Sequence, residues 1–106
     1  VTSKPVVPRE LANRDVDAAI THYVSEGAED AALGFIDALE KAYGHIARRP
    51  NIGSLRYAYE LDLPELRALP LTRYPYLVFY VDREDRIDVW RVLHTRRDVP
   101  ASLGEP

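Results

Sequence analysis

Apolar positions follow a helical rhythm in the first half of the chain and a strand rhythm in the second. Ala12, Val16, Ala19, Ile20 and Tyr23 recur at spacings of three and four, which places them on one helix face, with Asp15, Asp17 and Thr21 off it. Glu26-Gly27 ends that helix, since glycine suits a left-handed C-terminal turn. A second helix is predicted from Ala28 to Arg49, with Ala32, Phe35, Ile36, Leu39, Tyr43 and Ile46 as its apolar stripe. Glu29 and Asp30 suit its positive N-terminal end, and Arg48 and Arg49 its negative C-terminal end. Pro50 stops it and Gly53 allows the next turn. So short a connection predicts an antiparallel helix hairpin, preceded by a short strand at 4–7 that Pro8 closes.

After residue 53 the period changes. Residues 54–65 carry none and are expected to be a loop with local turns. Residues 66–71, 76–82 and 86–93 are rich in branched and aromatic side chains and predict three strands. Arg83-Glu84-Asp85 makes the tight connection between the last two. In the last strand Ile87, Val89, Arg91 and Leu93 alternate with Asp88, Trp90 and Val92, so one sheet face should be buried and the other partly wet. The fold class expected is α+β: a short N-terminal strand and an antiparallel helix hairpin packed on a C-terminal antiparallel β-meander.

Length and composition fit one domain over residues 1–106 with a single core. The absence of cysteine excludes disulfides, thiolate chemistry and Cys-bound zinc. No apolar run is long enough to span a bilayer or to read as a cleaved leader, so a cytoplasmic protein is expected. A net charge of −3 argues against a surface that grips nucleic acid by its phosphates. The charge is uneven, however: residues 1–65 hold seven basic and eleven acidic side chains, and residues 66–98 seven and five. The positive field belongs to the C-terminal third.

That third holds the candidate chemistry. Arg91 sits inside a strand, where it must face water or find a partner. His94 follows the same strand; it is a poor metal ligand without a spaced second histidine, and it reads better as a structural anchor than as an acid or base. Arg96 and Arg97 beside Asp98 fit either a solvated turn or a cationic contact, and surface pairing at ~0–1 kcal/mol is a thin reason for such a cluster. Tyrosines gather at 57, 59, 74, 76 and 80. Tyr80 and Phe79 are expected in the core, Tyr57 and Tyr59 at a surface, where tyrosine often anchors an interface.

Phe35 and Leu39 followed by Ile46, Pro50 and Gly53, then LRALPLTRYPYLVFYVD (66–82) and IDVWRVLHTRRD (87–98), together resemble the ParE branch of the RelE/ParE toxin superfamily. The likeness covers most of the chain and is weakest over 54–65 and the last few residues. It implies a toxin that binds and stalls DNA gyrase and needs no cofactor or metal. It also implies a hetero-oligomer with a ParD-like antitoxin, which carries a ribbon-helix-helix part and provides the sole link to operator DNA. The antitoxin segment that folds on the toxin would find an apolar groove at the helix hairpin and the sheet edge. Arg73, Arg91, His94, Arg96 and Arg97 are then expected to form an exposed target-binding surface, and Tyr23, Tyr57, Tyr59 and Tyr76 to meet the antitoxin. RelE members of the superfamily instead cleave mRNA on the ribosome, using a catalytic arginine at the start of the middle strand. Tyr76 stands at that position here, and the only lysines, Lys4 and Lys41, lie off the meander, so ribonuclease activity is the alternative reading. A toxin-derived corepressor without toxicity is another.

Overall fold

The chain starts on the sheet, leaves it for two helices and returns to complete it. The computed structural model describes residues 3–96 and Leu103. In order it contains β1 (Val6–Pro8), α1 (Glu10–Ser25), α2 (Glu29–Arg48), a 3-10 turn (Pro50–Ile52), α3 (Arg56–Leu61), β2 (Arg67–Pro70), β3 (Tyr76–Asp82) and β4 (Ile87–His94). The sheet order is β1-β4-β3-β2, with β1 parallel to β4 and the other pairs antiparallel. The predicted strand, helix hairpin and meander are all present. Among the described residues, no helix is long and apolar enough to cross a membrane.

Gly27 makes the hairpin possible. It lies at φ 72, and the N–H groups of Gly27 and Ala28 donate to the carbonyls of Val24 and Tyr23, which terminates α1 and reverses the chain. Ala12 and Ala19 from α1 and Phe35, Leu39, Ala42 and Ile46 from α2 then pack on Val78, Tyr80, Ile87, Val89 and Val92 of the sheet. Small residues on α1 let that helix lie close to β4.

Two expectations need correction. The alternation read along the last strand is broken between Phe79 and Tyr80, where Arg91 pairs with Phe79 but Val89 pairs with Tyr80. Trp90 is the extra residue of a β-bulge. Val92 therefore joins Ile87 and Val89 under the helices, while Leu93 packs on the opposite face. The stretch read as a loop contains α3, whose Tyr57, Ala58 and Leu61 cover that opposite face together with the buried Leu103. Six residues are too few to display a helical period, and the helix ends at Asp62 in a left-handed conformation, φ 52.

Three polar nodes fasten these layers. Tyr80 is fully buried; its hydroxyl donates to the Pro50 carbonyl and accepts from the Gly53 N–H, each at 2.8 Å, and so ties the α2–α3 connection to the sheet. A side chain at residue 53 would run into that hydroxyl, hence the glycine. Asp88, 3% exposed, accepts from Arg9, Arg83 and Trp90 at 2.9–3.3 Å. The Arg9 guanidinium also lies over the Trp90 ring, 4.6 Å from its centroid. Asp15 of α1 forms the third node, with Arg91 and Val92.

Burial pushes the Asp88 carboxyl up, but the hydrogen bonds from Arg9, Trp90 and Arg83 and the charge of Arg9 outweigh it and hold the group below the ordinary carboxylate value. Its contribution to stability is therefore present above the unfolded pKa of about 3.9 and is lost as pH falls through the depressed folded value. Asp88→Ala should cost about 2–3 kcal/mol in urea unfolding at neutral pH, with a flattened acid limb in a pH series of melts. An unchanged acid limb would show that other carboxylates govern acid unfolding.

The hydroxyls of Tyr43 and Tyr80 predict opposite outcomes. Tyr43 Oη is buried without a hydrogen-bond partner, and burial followed by the charge of Asp15 pushes its ionisation up to about 12. Tyr43→Phe should be neutral or stabilising by up to about 1 kcal/mol, whereas Tyr80→Phe, which orphans a carbonyl and an N–H, should cost about 1–3 kcal/mol by thermal unfolding. Equal effects would overturn this account of the two hydroxyls.

Candidate functional site: a cationic sheet end on an aromatic base

The β2–β3 turn and the end of β4 meet at one end of the sheet. The Leu71 N–H donates to the Tyr76 carbonyl at 3.0 Å, and the Thr95 N–H to the Pro75 carbonyl at 2.8 Å. Three of the predicted target-binding residues, Arg73, His94 and Arg96, lie on these two segments. Arg73 is exposed in the turn with φ 69, a conformation that costs a non-glycine residue about 1–2 kcal/mol. Arg96 is exposed two residues beyond β4, and its backbone N–H donates to His94 Nδ1 at 3.1 Å. That bond leaves Nε2 to carry the proton of the neutral ring. His94 is half-buried and anchored to the backbone in the way its sequence position suggests. Arg97 lies outside the described residues.

Beneath this end the two helices and the sheet share an aromatic cluster. Phe35 stands 5.0 Å from Tyr76 and 5.9 Å from Tyr74 between centroids; Tyr23 stands 5.8 Å from Tyr74, and Tyr76 5.1 Å from His94. Most of these contacts are edge-on, the arrangement that ring quadrupoles favour. The Tyr74 hydroxyl donates to the Ala31 carbonyl at 2.9 Å. Burial first, then the neighbouring Tyr76 and Tyr74, raise Tyr23 above the ordinary phenol value, and Tyr23 and Tyr76 share a hydrogen bond. The sheet end thus rests on packed aromatic rings.

Arg91 does not belong to the exposed surface expected of it. It is 9% exposed, and its Nε and Nη2 donate to the two carboxylate oxygens of Asp15 at 2.7 and 2.9 Å. Asp15 also accepts the Val92 N–H at 3.0 Å. β1 pairs with β4 only as far as Val89, so the edge beyond is unprotected by a strand, and the helix supplies a carboxylate instead. The cation is consumed by the fold. Tyr76 is 8% exposed, and the Phe35 and His94 rings pack against it.

The four tyrosines expected to meet the antitoxin do not share a surface. Tyr23 and Tyr76 belong to the aromatic cluster on the helix-hairpin face. Tyr57 and Tyr59 ride on α3 across the sheet, where Tyr57 packs on Phe79 at 5.2 Å and Tyr59 is 82% exposed.

Two larger grooves flank the sheet, and a smaller one of about 200 Å³ lies between α1 and the end of β4, lined by Asp15, His22, Tyr76 and His94. One, of about 490 Å³, runs between α2 and the β2–β3 turn; Ala38, Ala42, Leu69 and Pro70 line it, with Lys41, His45 and Arg73. The signal available was the spacing of Lys41, His45 and Arg48, one face of a helix, although a basic C-terminal turn is also ordinary helix-dipole compensation. The other, of about 470 Å³, lies beside α3 and is lined by Leu55, Ala58, Asp62, Glu65 and Asp82. Among the described residues no three carboxylates or histidines are placed to hold a metal ion.

Comparison with curated protein sequences gives no match. Among solved structures, the chain is similar to a protein of the chromosomal ParDE TA system from P. aeruginosa, with a TM-score of 0.71 and 22% identity over 87% of this chain and 96% of that one. At that identity the likeness establishes the fold. Residues 6–99 match the family described as the ParE toxin of the type II toxin-antitoxin system, parDE. Nearly the whole described chain lies within that match, and the protein belongs to the ParE toxin family.

Proposed function

We propose that this chain inhibits DNA gyrase by binding it, and that a ParD-like antitoxin neutralises the inhibition and alone contacts operator DNA. The observation that carries the reading is the cationic end of the sheet. Arg73 and Arg96 are exposed on segments braced by His94 and the packed aromatic cluster, with Arg73 kept in a backbone conformation that glycine would adopt at less cost. Strain at an exposed arginine is a reason to look for function there, since folding alone would favour glycine. Fixed arginines suit planar, bidentate contacts to carboxylates or phosphates of a protein–DNA complex.

The same geometry weighs against RNA cleavage. Phosphoryl chemistry of that kind needs a cation at the scissile phosphate beside a base and an acid. The strand cation is held by Asp15, and an aromatic ring occupies the other position. We therefore read the chain as a toxin that acts without chemistry of its own.

Purified protein should impair supercoiling by gyrase, with the antitoxin reversing the effect. Intact supercoiling together with codon-dependent mRNA cleavage in a translation extract would sink this reading. Arg73→Gly should relieve backbone strain, keeping or raising thermal stability by roughly 1 kcal/mol, while weakening inhibition. Arg96→Ala should weaken inhibition at unchanged stability. Arg91→Ala should behave differently, costing about 3–5 kcal/mol of folding stability because it leaves the Asp15 carboxylate buried without its cation. Melting curves beside supercoiling titrations separate the two classes, and a destabilised Arg73→Gly variant would refute the strain argument.

A further inference from the structure

One residue of α2 and one of the β2–β3 turn go against their local preference, and a single contact links them. Gly34 lies in the interior of α2, although glycine is the poorest helix former after proline. Arg73 lies in the turn at φ 69, where glycine would fit better. Between them stands Tyr74, whose hydroxyl donates to the Ala31 carbonyl at 2.9 Å. A side chain at residue 34 would run into that hydroxyl and would stand 3.3 Å from the ring carbon that bears it. Gly44 in the same helix is under no such constraint, since a side chain there would meet the flexible Arg48 guanidinium at 3.4 Å, an ordinary contact.

We propose that Gly34 is a positioning residue for the Arg73 contact. It leaves the Ala31 carbonyl open to the Tyr74 hydroxyl, and that latch of the turn onto α2 keeps Arg73 in its left-handed conformation. This rests on reading Arg73 as a gyrase contact. The backbone of Tyr74 is held as well, because its carbonyl accepts the Tyr76 N–H at 2.8 Å across Pro75. With the Leu71 N–H closing the turn on the Tyr76 carbonyl, a change of φ at Arg73 is taken up inside the turn. Tyr74 is the part of that turn anchored to a helix, so strain next to it can persist.

Stability alone is a weak reason for the arrangement. The Phe35 and Tyr23 rings pack edge-on against Tyr74 without help from its hydroxyl, and alanine at residue 34 would suit the helix better. What the hydroxyl adds is direction. Apolar packing is non-directional, whereas a hydrogen bond to one carbonyl fixes where the turn stands along α2. A partner that grips the Arg73 guanidinium gains from this, since a turn already ordered loses no freedom on binding. Two departures from local preference that converge on one contact mark a position where function has overridden folding.

Trypsin provides a readout independent of gyrase. Arg73 is exposed, so cleavage after it in the native protein tracks how often the turn opens. Gly34→Ala should speed that cleavage and weaken inhibition of supercoiling, each by roughly tenfold, the effect of losing one hydrogen bond. Gly44→Ala, with the same gain in helix preference, should change neither. Tyr74→Phe should reproduce the Gly34→Ala effects, and because it adds no volume it carries both readouts should Gly34→Ala fail to fold. Gly34→Ala/Tyr74→Phe should be no worse than Tyr74→Phe alone, since the new methyl group then has no hydroxyl to displace. Additive effects in that double variant, or unchanged cleavage in Gly34→Ala and Tyr74→Phe, would overturn the latch. Faster cleavage with undiminished inhibition would overturn the positioning role and leave the latch to the fold alone. If the unaltered protein leaves supercoiling intact, the gyrase reading fails by itself, and cleavage still decides the latch.

Discussion

The Asp15 carboxylate decides what the rest of the molecule displays. It bridges α1 and β4 through the Arg91 guanidinium and the Val92 N–H, at a point where β1 has ended and the sheet edge is unpaired. A buried ion pair of this kind adds little net stability over a well-packed apolar pair, but removing either partner is costly. It ties the helix hairpin to the strand and removes the most central cation from the surface. Arg73 at the turn and Arg96 just past β4 stay exposed.

The bulge at Trp90 belongs to the same arrangement. Without it, strict alternation would put Val92 opposite the helices and bring Leu93 beneath them. With it, Val92 enters the core under α1, its N–H reaches Asp15, and the Trp90 indole donates to Asp88 at 3.2 Å. One extra residue thus couples two acidic nodes, Asp15 and Asp88, on a single strand. Nothing in the spacing of IDVWRVLH reveals a bulge, because the residues on either side are apolar in both registers. The helix hairpin was legible for the opposite reason: its apolar residues keep one period over several turns, and Gly27 and Pro50 mark its ends.

Legibility of the candidate site follows the same division. Arg73, His94 and Arg96 could be picked out as basic positions, and they fall on a turn and a strand end that share the hydrogen bond from Thr95 N–H to the Pro75 carbonyl. That Arg91 would be withdrawn depends on a contact between residues far apart in sequence, and Asp15 by itself looks like any polar residue on a solvated helix face. The tyrosines expected to meet the antitoxin fall on two faces, because residue type alone does not say which side of a sheet a side chain occupies. α3, too short to show a period, places Tyr57 and Tyr59 across the sheet from Tyr23 and Tyr76.

The turn at Arg73 shows how packing and backbone strain meet in this fold. Arg73 lines the groove beside α2 in a left-handed conformation, φ 69. Strain of that kind persists only where the surrounding structure over-determines the backbone. Next to it in the chain, Tyr74 is fixed by its hydroxyl on the Ala31 carbonyl and by the Phe35 and Tyr23 rings, and the Leu71 N–H closes the turn on the Tyr76 carbonyl. The aromatic cluster that anchors the helices to the sheet therefore also holds the turn.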